Sequence, residues 1–301
     1  MYRISATIIA LFSLFVFQSG SKLNAQEIAP PDIEKMRIME DSMLITIDSI
    51  YNAYLPESHV GYSERLIKQL VKALRCDNSY IYPFSKIADK ISIIYSDDSA
   101  FRIFNWMIDY NSINKRYYGA VQLPSQKLKL FGLSDYSAKL EKGAEDSILT
   151  GGKWMGALYY RILATDYNGG RVYTCLGFSE ASPTVNRKIM DPIIVTENGI
   201  TFGAPIIGIG SKTMKGQPIN RFLLEYKKGV SVTLNWDKEK SIIVCDDLTS
   251  QINDPNRKYT FVPSGQYNAF YWNDGMWNFK TNILPIQDLK DGEAPTEDVK
   301  K

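Results

Sequence analysis

The sequence predicts an α+β protein in which a helical N-terminal segment precedes a mainly antiparallel β-meander. Between residues 33 and 54 the apolar residues recur three or four positions apart, which is the period of an amphipathic helix. From about residue 91 the pattern changes to the alternation of half-buried strands. Short turns, most of them rich in glycine, asparagine or aspartate, then separate the alternating segments, as they do in hairpins.

Two helices are predicted within a helical N-terminal region, residues 26–90. Pro30 and Pro31 suit the first turn of the first helix, and one face carries the apolar stripe Ile33, Met36, Met39, Met43, Ile47, Ile50 and Tyr54. The second helix is predicted to begin at Ser63. Because Met is usually buried, we expect the stripe to be core. An adaptable partner surface is the alternative.

An antiparallel β domain is predicted for residues 91–286. Its first two strands are joined by a turn at 96–99, and a polar, helical or irregular interruption is expected at 134–149. Later strands flank five turns: Asn168-Gly169-Gly170, Asn198-Gly199, Lys228-Gly229, residues 237–240 and Asn273-Asp274-Gly275. The spacing of these hairpins is irregular, so a sandwich, a barrel and an irregular propeller-like sheet remain open.

Both ends of the chain are expected to lie outside this fold. Residues 1–25 have the three parts of a secretory signal peptide: Arg3, an apolar run over 4–17, and a polar stretch that ends at Ala25. Cleavage is predicted after Ala25 or Gln26, which gives an exported protein, periplasmic or extracellular. No later segment is apolar enough to span a membrane. The charged tail, residues 287–301, is predicted to be disordered.

Charge balance excludes two classes of partner. The chain has 35 Lys and Arg against 33 Asp and Glu, and Arg3 and Lys22 are the charged residues of the signal. The mature chain is therefore neutral, which argues against nucleic acid and anionic lipid, because both require a basic face. The expected partner is an unidentified protein or glycan, and no cofactor is predicted.

Three cysteines, Cys76, Cys175 and Cys245, leave an odd count for an exported protein. Cys175 and Cys245 each fall in a predicted strand and could pair across neighbouring strands. We favour three separate buried thiols, since a free cysteine behaves as a small hydrophobe.

Few catalytic groups are available. His59 is the single histidine, and this count excludes any zinc site built on two histidines. It is predicted to be solvated in a loop between the two helices, where it is a poor candidate for an acid–base relay. Many aspartates fall at predicted turns, where they are favoured for local hydrogen bonds. Asp246-Asp247 with Asn253-Asp254 could supply oxygen ligands to calcium, although the spacing does not match a known calcium loop. No catalytic residue and no metal ligand is predicted.

The most distinctive feature is a cluster of aromatic residues around the predicted turn 273–275. Strand alternation places rings on both faces of the outgoing strand, and one core can bury only one face. We therefore expect at least one ring to be exposed as a ligand surface, and the predicted ligand-binding residues are Tyr271, Trp272 and Trp277.

Two motifs resemble those of a family of uncharacterised secreted proteins from anaerobic gut-type bacteria. The first is Tyr95-Ser96-Asp97-Asp98-Ser99-Ala100-Phe101-Arg102-Ile103-Phe104-Asn105-Trp106. The second is the Asp-Gly turn before an aromatic strand, Asn273-Asp274-Gly275-Met276-Trp277-Asn278-Phe279. The resemblance implies an exported protein with helices before β structure. It implies no activity and no catalytic residues.

Two functions follow as hypotheses. The first is a non-enzymatic binding or interaction protein of the bacterial envelope. The second is a carboxylate-dependent glycoside hydrolase acting on polysaccharide, which needs two carboxyl groups facing each other across a sugar. A cleft with facing acids and an aromatic floor would favour the hydrolase, and a convex β surface would favour binding.

Overall fold

The structure, a computed structural model, describes residues 27–140, 143–210 and 217–283. The predicted signal peptide and the predicted disordered tail lie outside these residues. In the part of the chain that is described, no helix is long and apolar enough to cross a membrane.

The N-terminal region is a pair of helices, as predicted. Helix α1 (Pro30–Asn52) and helix α2 (Pro56–Leu74) pack against each other and are joined by residues 53–55. A proline opens each helix, at a position where an N–H would have no acceptor within the helix. The predicted apolar stripe lies in the core at most of its positions. Its fully buried members are Met36, Met43, Ile47 and Ile50.

The start of α2 and the surroundings of His59 differ from the prediction. The helix begins at Pro56 rather than Ser63, so His59 lies in its first turns and not in a loop. Its ring is buried, with Nε2 2.9 Å from the carbonyl oxygen of Ala53 and Nδ1 3.2 Å from that of Asp109. The prediction of a solvated histidine is wrong because apolar periodicity alone does not detect a helix that starts with a proline.

The first sheet holds five strands in chain order: β1 (Ser92–Tyr95), β2 (Arg102–Asp109), β3 (Lys115–Leu123), β4 (Lys129–Asp135) and β5 (Lys153–Trp154). Strands β1 to β4 are antiparallel, and β5 pairs with β4 in parallel. The predicted turn at 96–99 joins β1 and β2. The interruption at 134–149 contains a short 3₁₀ helix, Ser137–Lys139, and no α-helix at its described positions.

The second sheet is built from long hairpins. Its strands are β6 (Leu158–Tyr167), β7 (Gly170–Ser182), β8 (Val185–Thr196), β9 (Gly199–Phe202) and β11 (Phe222–Lys227), in the order β11-β8-β7-β6, with β9 also paired to β8. Two predicted turns are confirmed, those at 168–170 and 198–199. Asn168 and Gly169 have positive φ values, which a tight hairpin turn requires.

The third sheet contains β10 (Ile207–Gly208), β12 (Leu234–Asp237), β13 (Ile242–Ser250), β14 (Phe261–Asn273) and β15 (Met276–Lys280), in the order β10-β15-β14-β13-β12. The predicted turns at 237–240 and 273–275 are confirmed. The predicted hairpin around Lys228-Gly229 is wrong, because β11 pairs with β8 and β12 with β13. The chain passes from the second sheet to the third there.

The helices and the three sheets of the described residues form successive layers. One face of the first sheet packs on the helices and the other on the second sheet, whose opposite face packs on the third. On β7, for example, Cys175 belongs to the core with the first sheet and Leu176 to the core with the third. None of these sheets closes into a barrel. Burial of both faces explains the long apolar runs in the middle strands.

The cysteines occupy separate cores of this layered structure. Cys76 lies in the helical core, Cys175 between the first two sheets, and Cys245 between the second and third. All three are buried thiols, as the sequence analysis favoured. Burial raises the pKa of Cys175, with the nearby Asp191 adding to the effect, so this thiol is kept protonated.

Arg102 on β2 joins the first sheet to the segment that follows α2. It is 0 % exposed and donates to neutral acceptors. These are Gln122 Oε1 at 2.9 Å, the Tyr82 carbonyl at 2.6 Å, the Tyr95 hydroxyl at 2.7 Å and the Ser79 carbonyl at 2.9 Å. Its guanidinium carbon lies 4.6 Å from the centre of the Phe104 ring, a favourable cation–π distance. The arginine of the first motif therefore has a structural role.

Replacing Arg102 by alanine should lower the free energy of unfolding by about 3 kcal/mol or more, because several buried acceptors lose a charged donor at once. Thermal and urea melts measure the loss. Arg171→Ala is the matched control, since Arg171 is half-exposed in its ion pairs and should change stability by less than about 1 kcal/mol. Equal effects of the two variants would contradict the structural role of Arg102.

Candidate functional site

The three predicted ligand-binding rings lie on the β14–β15 hairpin of the third sheet. Tyr271 is 36 % exposed, Trp272 is half-buried and Trp277 is 1 % exposed. The prediction that at least one of them is substantially exposed is confirmed by Tyr271. The three rings do not share one surface.

Trp277 packs between the second and third sheets. Its Nε1 donates to Thr174 Oγ1 on β7 at 2.9 Å. The ring also makes edge contacts with Trp236 and Trp272, at centroid distances of 6.2 and 5.1 Å. A buried indole N–H with a partner in the neighbouring sheet is an anchor. Of the three predicted rings, only Tyr271 and Trp272 can reach a ligand from solvent.

A cleft of about 370 Å³ opens between β11, at the edge of the second sheet, and strands β13 to β15 of the third. Three phenylalanines contribute to its apolar lining, Phe222, Phe261 and Phe279, and we call this cavity the phenyl-rich cleft. Phe222 and Phe279 both pack against the buried Phe270. The hairpin predicted from the sequence therefore does border a cavity, but it does so through Phe279, a ring of the aromatic cluster that was not selected as a ligand contact.

Four carboxylates line the same cleft together with one lysine, Lys258. Three of them are engaged in well-defined contacts. Glu225 Oε1 accepts from Arg187 Nε at 3.0 Å, and Asp246 Oδ2 accepts the N–H of Thr233 at 2.6 Å. Asp247 uses one oxygen for Ser264 Oγ at 2.9 Å and the other for Asn268 Nδ2 at 3.0 Å. These contacts fix where the negative charge lies.

Glu145 is the fourth carboxylate and differs from the others. One of its oxygens accepts a long bond, 3.4 Å, from the N–H of Leu223. Burial raises the pKa of Glu145, and the negative charges of Glu225 and Asp146 add to the effect. A half-buried acid with so little hydrogen bonding is the group in this cleft that most needs a ligand or a proton.

The segment that carries Glu145 is fixed through its backbone. The Glu145 carbonyl accepts the N–H groups of Asn220 and Arg221, at 2.9 and 3.0 Å. Arg221 Nη1 also donates to the Ala144 carbonyl at 2.6 Å. Sequence reasoning missed Glu145 because it belongs to the polar interruption at 134–149, where no local pattern indicates which side chain turns inward.

The turn aspartates behave as predicted from local turn chemistry. Asp98 accepts the N–H of Ala100, Asp237 that of Lys240, and Asp254 that of Asn256. Asp254 also pairs with Arg257 at 3.0 Å. Among the described residues there is no group of three or more metal-ligating side chains, and Asp246, Asp247 and Asp254 each bond to protein partners.

No family model, curated protein or solved structure matches this chain. Its function must therefore be argued from the geometry of its own cavities.

The three predicted rings should differ in stability effect. Trp277→Ala is expected to cost about 3–5 kcal/mol through lost burial and a cavity, Tyr271→Ala at most about 1 kcal/mol, and Trp272→Ala an intermediate amount. Thermal melts of the single variants give the comparison. If Tyr271→Ala destabilised the protein as strongly as Trp277→Ala, the tyrosine would be packing and could not serve as a ligand surface.

Proposed function

We propose that this chain is an exported, non-enzymatic binding protein of the bacterial envelope whose ligand site is the cleft between the second and third sheets. A phenyl-rich floor with a few placed polar groups is the usual composition of a ligand pocket. Four carboxylates line the cleft with one lysine, and acids still outnumber bases when Glu225 is paired with Arg187. This excess favours a ligand with an apolar body and a positively charged group. The presence of phenylalanines and carboxylates in one cleft carries the proposal. A protein partner could supply such a ligand as a basic side chain next to an apolar one.

The contacts of the carboxylates favour binding over hydrolysis. A glycosidase needs one carboxyl group as acid and another as nucleophile or base. Glu225 is paired with Arg187, and both oxygens of Asp247 accept hydrogen bonds from the protein. Asp246 and Asp247 are held by neutral donors, so they supply a fixed negative potential, which selects a cationic ligand.

Hydrolysis of a polysaccharide is kept as a second candidate because of one observation. Burial raises the pKa of Glu145, as expected of a general acid, and Asp246 lines the same cleft. An acid of raised pKa with a second carboxylate in the same cleft is the pair of groups that a glycosidase requires.

Export is supported by the pattern of residues 1–25, with its basic start, apolar run and small residue at the cleavage site. The neutral charge of the remaining chain is compatible with a partner other than nucleic acid.

Glu145→Gln should weaken binding of a cationic apolar probe about tenfold, the loss expected for one charge-assisted hydrogen bond. Calorimetry with phenethylammonium measures this, with 2-phenylethanol as the neutral probe. Because the pKa of Glu145 is raised, binding to the parent protein should fall on acidification at a higher pH than an ordinary glutamate would give, and the variant should lack that step. Glu239→Gln, in an exposed turn, is the matched control.

Stability separates this effect from misfolding. A raised pKa in the folded state stabilises the fold below the usual pKa of a glutamate, and this contribution is lost as pH rises through the raised value. At neutral pH the Glu145→Gln protein should therefore be at least as stable as its parent. Equal affinity for the charged and neutral probes would contradict the binding proposal. Release of reducing ends from polysaccharide, abolished by Glu145→Gln, would establish the second candidate instead.

Export predicts a mature protein that begins at Gln26 or Glu27. Intact-mass analysis of the protein from the envelope fraction of its native host measures the N-terminus. A chain that retains Met1 in that fraction would contradict export through a cleaved signal.

A further inference from the structure

A second, polar pocket of about 490 Å³ lies where the first and second sheets diverge. It is lined from the first sheet by Lys115, Tyr117 and Asp135, and from the second by Ser179, Glu180 and Arg187. Ser179 on β7 and Arg187 on β8 are register partners, so their side chains project from the same face. This pocket is distinct from the phenyl-rich cleft in position and in composition.

Ser179 supplies the observation that points to a ligand. Its side chain is 3 % exposed, and its Oγ has no hydrogen-bond partner within the protein. Burying a hydroxyl without a partner is unfavourable, and folded proteins rarely leave one in that condition. Ser179 lines the pocket, so a change of its χ1 rotamer presents the buried Oγ to a bound hydroxyl group.

Tyr117 adds a second hydroxyl at the same place. Its oxygen accepts the N–H of Glu180 at 2.7 Å, which leaves the phenolic proton to be donated. Burial raises the pKa of Tyr117, so this proton is retained at neutral pH. The pocket thus offers two hydroxyl groups from facing sheets.

Three charged groups of the pocket, Lys115, Glu180 and Arg187, are paired within the protein. Lys115 contacts Asp109 and lies 3.7 Å from Glu180, and Glu180 also pairs with Lys228 at 2.6 Å. Arg187 uses Nε and Nη2 on Glu225, which leaves Nη1 as a donor. The other two charged residues that line the pocket, Arg116 and Asp135, have opposite signs. A pocket with balanced charges attracts neither an anion nor a cation strongly, but it still offers donors and acceptors to hydroxyl groups.

Asp135 supplies acceptors in fixed positions. Its two oxygens each accept one backbone N–H, from Tyr117 and from Ser137, both at 2.9 Å, and a carboxylate oxygen can accept more than one bond. The exposed side chains of Tyr110 and Ile113 line the same pocket. The Arg116 guanidinium covers one face of the tyrosine ring, which leaves the other face and Ile113 as apolar surface. A sugar ring, with hydroxyl groups at its edge and C–H groups on its faces, matches this arrangement.

We propose that the polar pocket binds one neutral saccharide unit, with Ser179, Tyr117 and Asp135 exchanging hydrogen bonds with its hydroxyl groups. The inference is independent of the cationic ligand proposed for the phenyl-rich cleft, because no residue that carries it lines that cleft.

Saturation-transfer NMR and calorimetry on the full chain test the proposal with glucose, galactose, mannose, N-acetylglucosamine and their disaccharides. Glucuronate and glucosamine serve as the anionic and cationic comparators. At least one neutral sugar should bind more tightly than both comparators. Ser179→Ala should weaken that binding five- to tenfold, as expected for one lost hydrogen bond, and Tyr117→Phe should also weaken it. Ser134→Ala, an exposed serine on β4, is the matched control and should bind normally.

Folding does not confound the main variant. Removing a buried hydroxyl that has no protein partner should leave the melting temperature of Ser179→Ala equal to or above that of the parent. The proposal is overturned if no neutral sugar binds, if a charged comparator binds more tightly, or if Ser179→Ala binds as the parent does. Loss of sugar binding in Glu145→Gln would place the sugar in the phenyl-rich cleft and would also overturn it, whereas retained binding keeps the two sites separate.

Discussion

A buried ion pair between Arg221 and Asp191 is the interaction on which the arrangement of the second sheet and of the phenyl-rich cleft depends. Both side chains are 0 % exposed, and Arg221 Nε donates to Asp191 Oδ1 at 2.7 Å. Tyr159 donates to the other oxygen of Asp191 at 2.7 Å. Desolvation raises the pKa of Asp191, and the arginine opposes that effect. A buried charge is tolerated only with such partners, so the strands that carry these residues must keep their register.

The same arginine positions the acid of the cleft. Through its backbone N–H and its guanidinium, Arg221 bonds to the carbonyl groups of Glu145 and Ala144. The orientation of Glu145 is therefore coupled to a core ion pair rather than to a flexible loop. Arg102 plays a comparable part in the first sheet but with neutral acceptors, which shows two ways of burying a guanidinium: pairing its charge, or surrounding it with carbonyl groups and rings.

Local chemistry explains which parts of this fold could be predicted from the sequence. The turns at 168–170 and 273–275 need positive φ at Asn168 and Asp274. Asparagine, aspartate and glycine tolerate that conformation, so their presence predicts these turns. The pairing of β11 with β8 has no such local signal, because it brings Phe222 beside Met190 from a distant part of the chain. The Lys228-Gly229 turn therefore resembled a hairpin although its flanking strands separate into different sheets.

The candidate sites were predictable only in part, since alternation indicates an exposed ring such as Tyr271 but not the inward turn of Glu145 or the buried hydroxyl of Ser179 that has no protein partner.

The two cavities lie on either side of one ion pair. Arg187 lines the polar pocket, its partner Glu225 lines the phenyl-rich cleft, and the two residues face each other across β8 and β11. Because Arg187 neutralises Glu225, the negative potential of the cleft depends on how firmly the arginine is held. A group in the polar pocket that drew the guanidinium away would expose the charge of Glu225 to the cleft, and a cation in the cleft would loosen Arg187 in return. Such coupling would be reciprocal by thermodynamic necessity, and the Arg187–Glu225 pair on the second sheet is the contact through which it would pass.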